Sequence, residues 1–393
     1  KICPEQMGWF PEKILHQLDA VILGMHAKKD NPELLAAQKM GLSVYSYPEF
    51  IAQYAQNKTR VVIAGSHGKT TISAMVLHVL NYHQKLVDYM IGAQLEGFEN
   101  SVFLSEDNEF IVLEGDEYLS SPIDLRPKFH HYKPQIALIS GIAWDHVNVF
   151  KTLSDYNHQF ELFIDSITAG GVLVYNKEDQ KLCEIVRASQ NTIRKEPYDI
   201  LEHSVSGGMT YLETDEGAIP LGIFGKHNLS NLSGAKWLCQ LMGVDEDDFY
   251  QAIGNFRGAS KRLEQLTAGK TSRLFKDFAH APSKVKATTQ AVKEQFADQK
   301  LVACLELHTY SSLEPSFLVH YQNSLEKADI PIVFFDPEAL KIKNRTPISP
   351  QEIIDAMGRS DLIVFTHPYD LNEFLLEQEY EDTVLLMMSS GNY

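Results

Sequence analysis

Apolar residues in this chain fall into short β-branched runs separated by longer stretches of helical spacing. The clearest run, Val61-Val-Ile-Ala64, is unbroken, as expected of a parallel strand buried on both faces. A glycine-punctuated loop follows it, and the apolar periodicity of 72–80 then predicts a helix. Further strands are expected near 110–114, 135–140 and 172–175, with helices between them, one over 153–164. Residues 58–255 therefore read as an α/β domain with a mainly parallel sheet, and 204–224 as antiparallel strands appended to it. Ahead of it, 1–57 carries a strand-like run at 20–23, a helix candidate at 32–40 and a short strand at 43–45, the second half of a βαβ layout. From Phe256 a new alternation begins. Strands are expected near 273–276, 301–306, 331–335, 361–365 and 384–388, with helices over 283–296, 316–328 and 350–357. That is a second, Rossmann-like sheet.

The loop after the first central strand has its own chemistry. It reads Gly65-Ser66-His67-Gly68-Lys69-Thr70-Thr71. Small residues between a strand and a helix let backbone N–H groups face phosphate oxygens, and the helix N-terminus adds a favourable dipole. Lys69 suits the β/γ-phosphates and the Thr70 hydroxyl suits Mg²⁺. The strict pattern has glycine five residues before Gly68, where this chain has Ile63, so the loop is a variant.

Composition narrows the partners. The 393 residues exceed one core, and two or three domains are expected. Net charge is −17 with no Lys/Arg-rich tract, which argues against a nucleic-acid or anionic-membrane surface. Positive potential for an anionic nucleotide must then be local. Cys3, Cys183, Cys239 and Cys304 are scattered without metal-type pairing and read as reduced thiols of a cytoplasmic protein. No apolar run is long enough to span a membrane. The opening without Met, in mid-pattern, suggests that N-terminal residues are missing.

In open α/β sheets ligands gather at the carboxyl ends of strands. One predicted strand runs into Glu114-Gly-Asp116-Glu117 and another into Asp145-His146. Glu114 and His146 would complete a Mg²⁺ site with Thr70, or the carboxylates cap a helix start and His146 is an ordinary loop histidine. Gly225-Lys-His227-Asn228-Leu-Ser-Asn231 opens a helix with amides that either meet a base or cap the helix. Lys261-Arg262 follows a glycine at a domain junction, where an arginine can reach a γ-phosphate or simply lie on the surface. Asp277 follows a strand and would hold ribose hydroxyls or cap a helix.

These segments, in this order, resemble the Mur ligase family, the ATP-dependent amino-acid ligases of peptidoglycan synthesis. The matching pieces are Ala64 to Thr71, Glu114-Gly-Asp-Glu117, Asp145-His146, Gly225-Lys-His-Asn228 with Asn231, Arg262-Leu-Glu264 and Asp277-Phe-Ala-His-Ala-Pro282. The resemblance implies three domains: a partial UDP-sugar-binding domain (1–57), a P-loop ATPase domain (58–255) and a Rossmann-like ligase domain (256–393). It implies ATP and Mg²⁺ as cofactors. Gly65, Ser66, His67, Gly68, Lys69, Thr70, Thr71, Asn228, Asn231, Arg262 and Asp277 would hold the nucleotide, and Thr70, Glu114 and His146 the metal. Lys69, Glu114, His146 and Arg262 would be catalytic, and Lys128, His131, His280 and His308 would lie on the substrate side.

Within the family, Glu117-Tyr118 and the run from Asp124 to Pro134 look most like the murein peptide ligases. Those join L-alanyl-γ-D-glutamyl-meso-diaminopimelate to UDP-N-acetylmuramate through an acyl phosphate, in cell-wall recycling. The alternative is the UDP-N-acetylmuramate–L-alanine ligases, which carry arginines where this chain has Thr309 and Ser312. The peptide branch has Pro-Arg-Ser-Asn in that segment, and His308 departs from it. The helix over 153–164 contains no lysine, so the carbamoylated lysine of some members is not expected. A folylpolyglutamate synthase-like ligase and a non-catalytic nucleotide-binding protein complete the alternatives. A monomer or weak dimer is expected.

Overall fold

The computed structural model describes residues 8–92, 95, 97–98, 100–144, 149–259, 262–343 and 346–391. The N-terminal unit pairs β1 (Val21–Leu23) with β2 (Val44–Ser46) in parallel, with α1 (Pro32–Lys39) between them and α2 (Tyr47–Tyr54) after them. Asn31 and Ser46 start the two helices, each accepting backbone N–H bonds in its side chain ahead of a proline in the first turn.

The central unit contributes β3 (Thr59–Ala64), α3 (Lys69–Tyr82), β4 (Asp88–Met90), β5 (Val102–Phe103) and β6 (Phe110–Gly115). It continues with the hairpin β7 (Leu119–Ser121) and β8 (Asp124–Pro127), then β9 (Ile136–Ile139), α4 (Leu153–Ser166), β10 (Val172–Asn176), α5 (Gln180–Ala188) and β11 (Arg194–Tyr198). Its seven-stranded sheet has the order β11-β10-β9-β3-β6-β4-β5, parallel except for the edge strand β5. Both faces are covered. Val61 and Ile63 point into a core with Ile72, Met75 and Leu232, while Val62 and Ala64 meet Phe129, Tyr156 and Phe160 on the other face. Such two-sided burial is why the predicted strands were continuous apolar runs.

Antiparallel β12 (His203–Ser206), β13 (Met209–Thr214) and β14 (Gly217–Leu221) form a separate three-stranded sheet, followed by α6 (Lys226–Leu241) and α7 (Glu246–Ile253). The last unit runs β15 (Glu264–Ala268), β16 (Arg273–Asp277), α8 (Pro282–Gln295), β17 (Lys300–Glu306), β18 (Ile330–Phe334), α9 (Pro337–Ile342), α10 (Pro350–Met357), β19 (Ile363–Phe365), α11 (Pro368–Leu376) and β20 (Thr383–Met388). Its order is β15-β16-β20-β17-β18-β19, with β15 antiparallel to the rest.

The helix expected over 316–328 is absent. Pro315–Tyr321 is a 3₁₀ helix, and the chain then turns at Asn323, whose φ is 59°. Arg359 Nη1 donates to the carbonyls of Leu325, Glu326 and Ala328, acceptors drawn away from a local helix. The buried spacing of Phe317, Tyr321 and Leu325 imitates helical periodicity. The strands β4, β5, β11 and β15 are short or polar, and pattern reading passed over them. Among the described residues, no helix is long and apolar enough to cross a membrane.

One buried ion pair ties the central sheet to its flanks. Lys58 Nζ lies 3.1 Å from Asp88, which also accepts from Tyr54 Oη at 2.9 Å and Asn108 Nδ2 at 2.8 Å. Asp88 is fully buried and Lys58 nearly so. Removing one partner strands the other charge, so Asp88→Ala is expected to destabilise the protein by about 3 kcal/mol or more, read from the shift of a urea unfolding curve.

Candidate active site

A cavity of about 560 Å³ lies where the carboxyl end of the central sheet meets the C-terminal unit. Its floor is the loop between β3 and α3. Gly68 takes φ +80° to start α3 without any side-chain cap, and a Cβ there would overlap the Asn231 side chain. Gly65, at φ +121°, packs its backbone against Ser140 behind the loop rather than lining the cavity. Ser66 N donates to Gly141 O at 2.9 Å, and Ser140 Oγ donates to His67 O, so the end of β9 pins the loop from behind. Lys69, Thr70 and Thr71, which open α3, line the cavity, and the first N–H groups of a helix have no intrahelical partner and suit an anion.

Lys69 opens α3. Its Nζ donates to Gly65 O at 2.7 Å and to Glu117 Oε2 at 2.8 Å, with Asp116 Oδ1 at 3.8 Å. Burial opposes its charge, but Glu117 and Asp116 outweigh burial and hold its pKa above the ordinary lysine value. Thr70 Oγ1 donates to Glu114 Oε2 at 3.2 Å. The other Glu114 oxygen is buried and, among the described residues, has no hydrogen-bond partner. Burial, then Asp116, pushes the Glu114 carboxyl pKa upward, against the Gly92 N–H, Lys69 and Thr70. Glu114 is the next-to-last residue of β6 and the chain continues into the β7–β8 hairpin, so no helix starts here for these carboxylates to cap.

The opposite wall comes from α6 and the C-terminal unit. Asn228 and Asn231 line it, and Asn228 Nδ2 donates to Phe224 O at 3.0 Å. Neither amide caps α6, whose N-terminal residue Gly225 has no side-chain cap bond. Asp277 ends β16 and accepts from Leu263 N at 2.6 Å, Ala279 N at 2.7 Å and Thr288 Oγ1 at 3.2 Å. It braces its own turn and caps no helix, and α8 starts from Ala281. The Arg262 guanidinium stacks on Phe278 at 4.6 Å from the ring centre. Burial lowers its pKa, against Asp277 and Glu114. His67 Nε2 lies 2.7 Å from Ser283 Oγ, joining the loop to the start of α8.

The cavity thus brings together Ser66, His67, Gly68, Lys69, Thr70 and Thr71 with Glu114, Asn228, Asn231, Arg262, Asp277 and His280. Other expected residues lie elsewhere. Lys128 is buried behind the wall, 2.9 Å from Asp116 and over the Tyr47 ring at 5.2 Å. His131 is buried beside Asp124 at 3.1 Å. His308 stands 3.6 Å from Glu306, and its neighbour Thr309 reaches the cavity instead. Asp145 and His146 lie outside the described residues, as does Lys261. Asp116, expected at most to cap a helix, and His227 and Ser283, which have no expected site role, all line the cavity. Glu117, expected only to cap a helix start or to mark the branch within the family motif, is the direct partner of Lys69. Three acidic residues at one strand end were visible, but which of them turns inward depends on the hairpin that follows.

The family model for the Mur ligase middle domain matches residues 63–239. The UDP-N-acetylmuramate–L-alanine ligase of Caldicellulosiruptor bescii is 31% identical over 355 residues, covering 87% of this chain and 76% of that protein. Among solved structures, the Thermotoga maritima UDP-N-acetylmuramate–alanine ligase superposes with a TM-score of 0.70 at 20% identity, covering 97% of this chain and 84% of that one. The murein peptide ligase of Psychrobacter arcticus gives 0.65 at 20% identity, covering 98% and 85%. At that identity the two structures speak to fold alone. The bacterial relative goes further, because its 31% identity extends over 87% of this chain: the chain belongs to the Mur ligase family of ATP-dependent amide ligases.

Proposed function

We propose that this chain uses ATP to join the lactyl carboxylate of UDP-N-acetylmuramate to the amine of L-alanine. The observation that carries the ligase chemistry is the convergence of Lys69, the Thr70–Glu114 pair and Arg262 on one cavity. L-alanine is favoured over the tripeptide expected from the motifs, because the 31%-identical relative is an L-alanine ligase. On this reading residues 1–57, 58–255 and 256–393 serve as UDP-sugar, ATPase and ligase domains.

The lactyl carboxylate oxygen attacks the γ-phosphorus, ADP leaves, and an acyl phosphate forms. The amine nitrogen then attacks the acyl carbon, loses a proton, and inorganic phosphate departs with the former acyl oxygen. Lys69 meets the β/γ-phosphates and Arg262 approaches from the facing unit, so positioning and charge neutralisation supply the catalysis. Asn228 and Asn231 flank the adenine and Asp277 the ribose, while His280 faces the acceptor. Thr70 and Glu114 would hold Mg²⁺: a hydroxyl and a buried carboxylate with one oxygen unpartnered among the described residues are the hard donors that ion takes. When bound, Mg²⁺ supplies charge neutralisation at the phosphates. Gly68→Ala strains a positive-φ position and crowds Asn231, so it is expected to weaken ADP binding by roughly tenfold in a fluorescent-nucleotide titration.

A second reading, the tripeptide as amine, is favoured by one observation. Thr309 and Ser312 bond each other at 3.0 Å where L-alanine ligases carry arginines, so the cation expected to hold the alanine carboxylate is not supplied there. Phosphate release from ATP and Mg²⁺ with UDP-N-acetylmuramate decides between them. Turnover with L-alanine supports the first reading, turnover with tripeptide alone the second, and turnover with neither removes both.

A further inference from the structure

The lysine of the phosphate loop is held by a residue that has no contact with the nucleotide in the reading above. An ammonium has three N–H donors. On Lys69 one goes to Gly65 O at 2.7 Å and one to Glu117 Oε2 at 2.8 Å. Asp116 Oδ1, at 3.8 Å, is beyond hydrogen-bond range and leaves the third for a ligand. Glu117 is fully buried, and its second oxygen accepts from Tyr156 Oη at 3.3 Å. Tyr156 is itself fully buried on α4, on the sheet face opposite α3. The hold on Lys69 is therefore anchored through the sheet, not within the mobile reach of a lysine side chain.

We infer that Glu117 is a positioning residue: it keeps Lys69 Nζ aimed at the mouth of the phosphate loop, with Tyr156 fixing the carboxylate. A buried carboxylate does not release its cation cheaply, because the charge left behind has no solvent to stabilise it. Lys69 accordingly stays paired as phosphate arrives and offers its remaining N–H in a fixed direction. A bare lysine on a flexible four-carbon stem would attract phosphate more strongly but aim less well. Glu117 therefore gives up ground-state attraction for orientation at the transferring phosphoryl group. Its loss should fall on turnover rather than on nucleotide binding.

The inference rests on Lys69 being the phosphate-loop lysine of the proposed ligase. The test compares Glu117→Gln, Glu117→Asp, Tyr156→Phe, Lys69→Ala and the Lys69→Ala/Glu117→Gln double variant in the full chain. Turnover is read with ATP and Mg²⁺, binding with fluorescent ADP, and folding by thermal melting. Glu117→Gln is expected to lower kcat about 100-fold, with the ADP dissociation constant within threefold of wild type. Glu117→Asp should recover about a tenth of wild-type kcat, and Tyr156→Phe should lose roughly fivefold with KM for ATP unchanged. Lys69→Ala should melt below wild type because the buried Glu117 carboxylate loses its cation, and Glu117→Gln should raise that melting temperature again. Wild-type kcat in folded Glu117→Gln, or a change in KM alone, overturns the inference. If Glu117→Gln fails to fold, Tyr156→Phe and the double variant decide: an unchanged kcat in the first, or no recovery of melting in the second, overturns it. Near wild-type turnover in Lys69→Ala would instead remove the phosphate-loop reading itself.

Discussion

Lys69→Ala is expected to lower ATP-dependent ligation by roughly 10²–10³-fold, the loss typical of deleting one preorganised electrostatic group. Lys69 is the first residue of α3, so on the proposed reading its ammonium and the helix N-terminus act on the same anion. Among the described residues, Lys69 is the one lysine of the phosphate loop, and Lys284 lines the cavity from α8 of the facing unit. Lys128 is engaged with Asp116 behind the cavity wall, and Arg262 reaches from the facing unit. Initial-rate measurement of phosphate release, with circular dichroism to verify folding, checks this. Ligation near the wild-type rate in a folded variant would remove Lys69 from the chemistry.

Glu114→Gln is expected to lower kcat by roughly 100-fold at ordinary Mg²⁺ and to raise the Mg²⁺ concentration for half-maximal activity at least about tenfold. The substitution keeps shape and removes charge. Glu114 is 7% exposed and one of its oxygens has no partner among the described residues, so its ionised form is held in an unfavourable place. The raised carboxyl pKa has the same cause, burial first and Asp116 second. On the proposed reading, a group kept at such a cost to the fold serves the ligand rather than stability. The variant should therefore melt at or above the wild-type temperature while losing activity. A Mg²⁺ titration that superposes on wild type would exclude Glu114 as a ligand, and a large fall in melting temperature would show that the carboxylate is structural.

Much of the frame was legible in the chain. Val61 to Ala64 read as a strand buried on both faces, because a half-exposed strand alternates apolar and polar positions and this run does not. Gly68-Lys69-Thr70 at its end had to open a helix, and the helix begins at Lys69. The alternation from Phe256 onward determined a second parallel sheet, with β16, β17, β18 and β20 near their expected places. These are local consequences of hydrophobic period and backbone freedom. The error at 316–328 marks their limit, because the periodicity was genuine but Arg359, from a distant turn, took the carbonyls a helix would have used.

What the chain could not specify was which polar groups meet. Glu114, Asp116 and Glu117 are equivalent acidic residues in the sequence. Only the end of β6 and the turn into β7 send Glu114 to Thr70, Glu117 to Lys69 and Asp116 to Lys128. Lys128 and His131 looked like substrate contacts, yet the 3₁₀ turn Lys128–His131 packs under α2 and buries both side chains against carboxylates. Asn231 is placed over Gly68 by α6, 163 positions later in the chain. Residue type and period act over a few residues and therefore determined the strands, the loop and the kind of chemistry. The pairing of charges depends on sheet order, hairpin turns and the docking of the last unit, which are long-range, and so only the tertiary structure decided it.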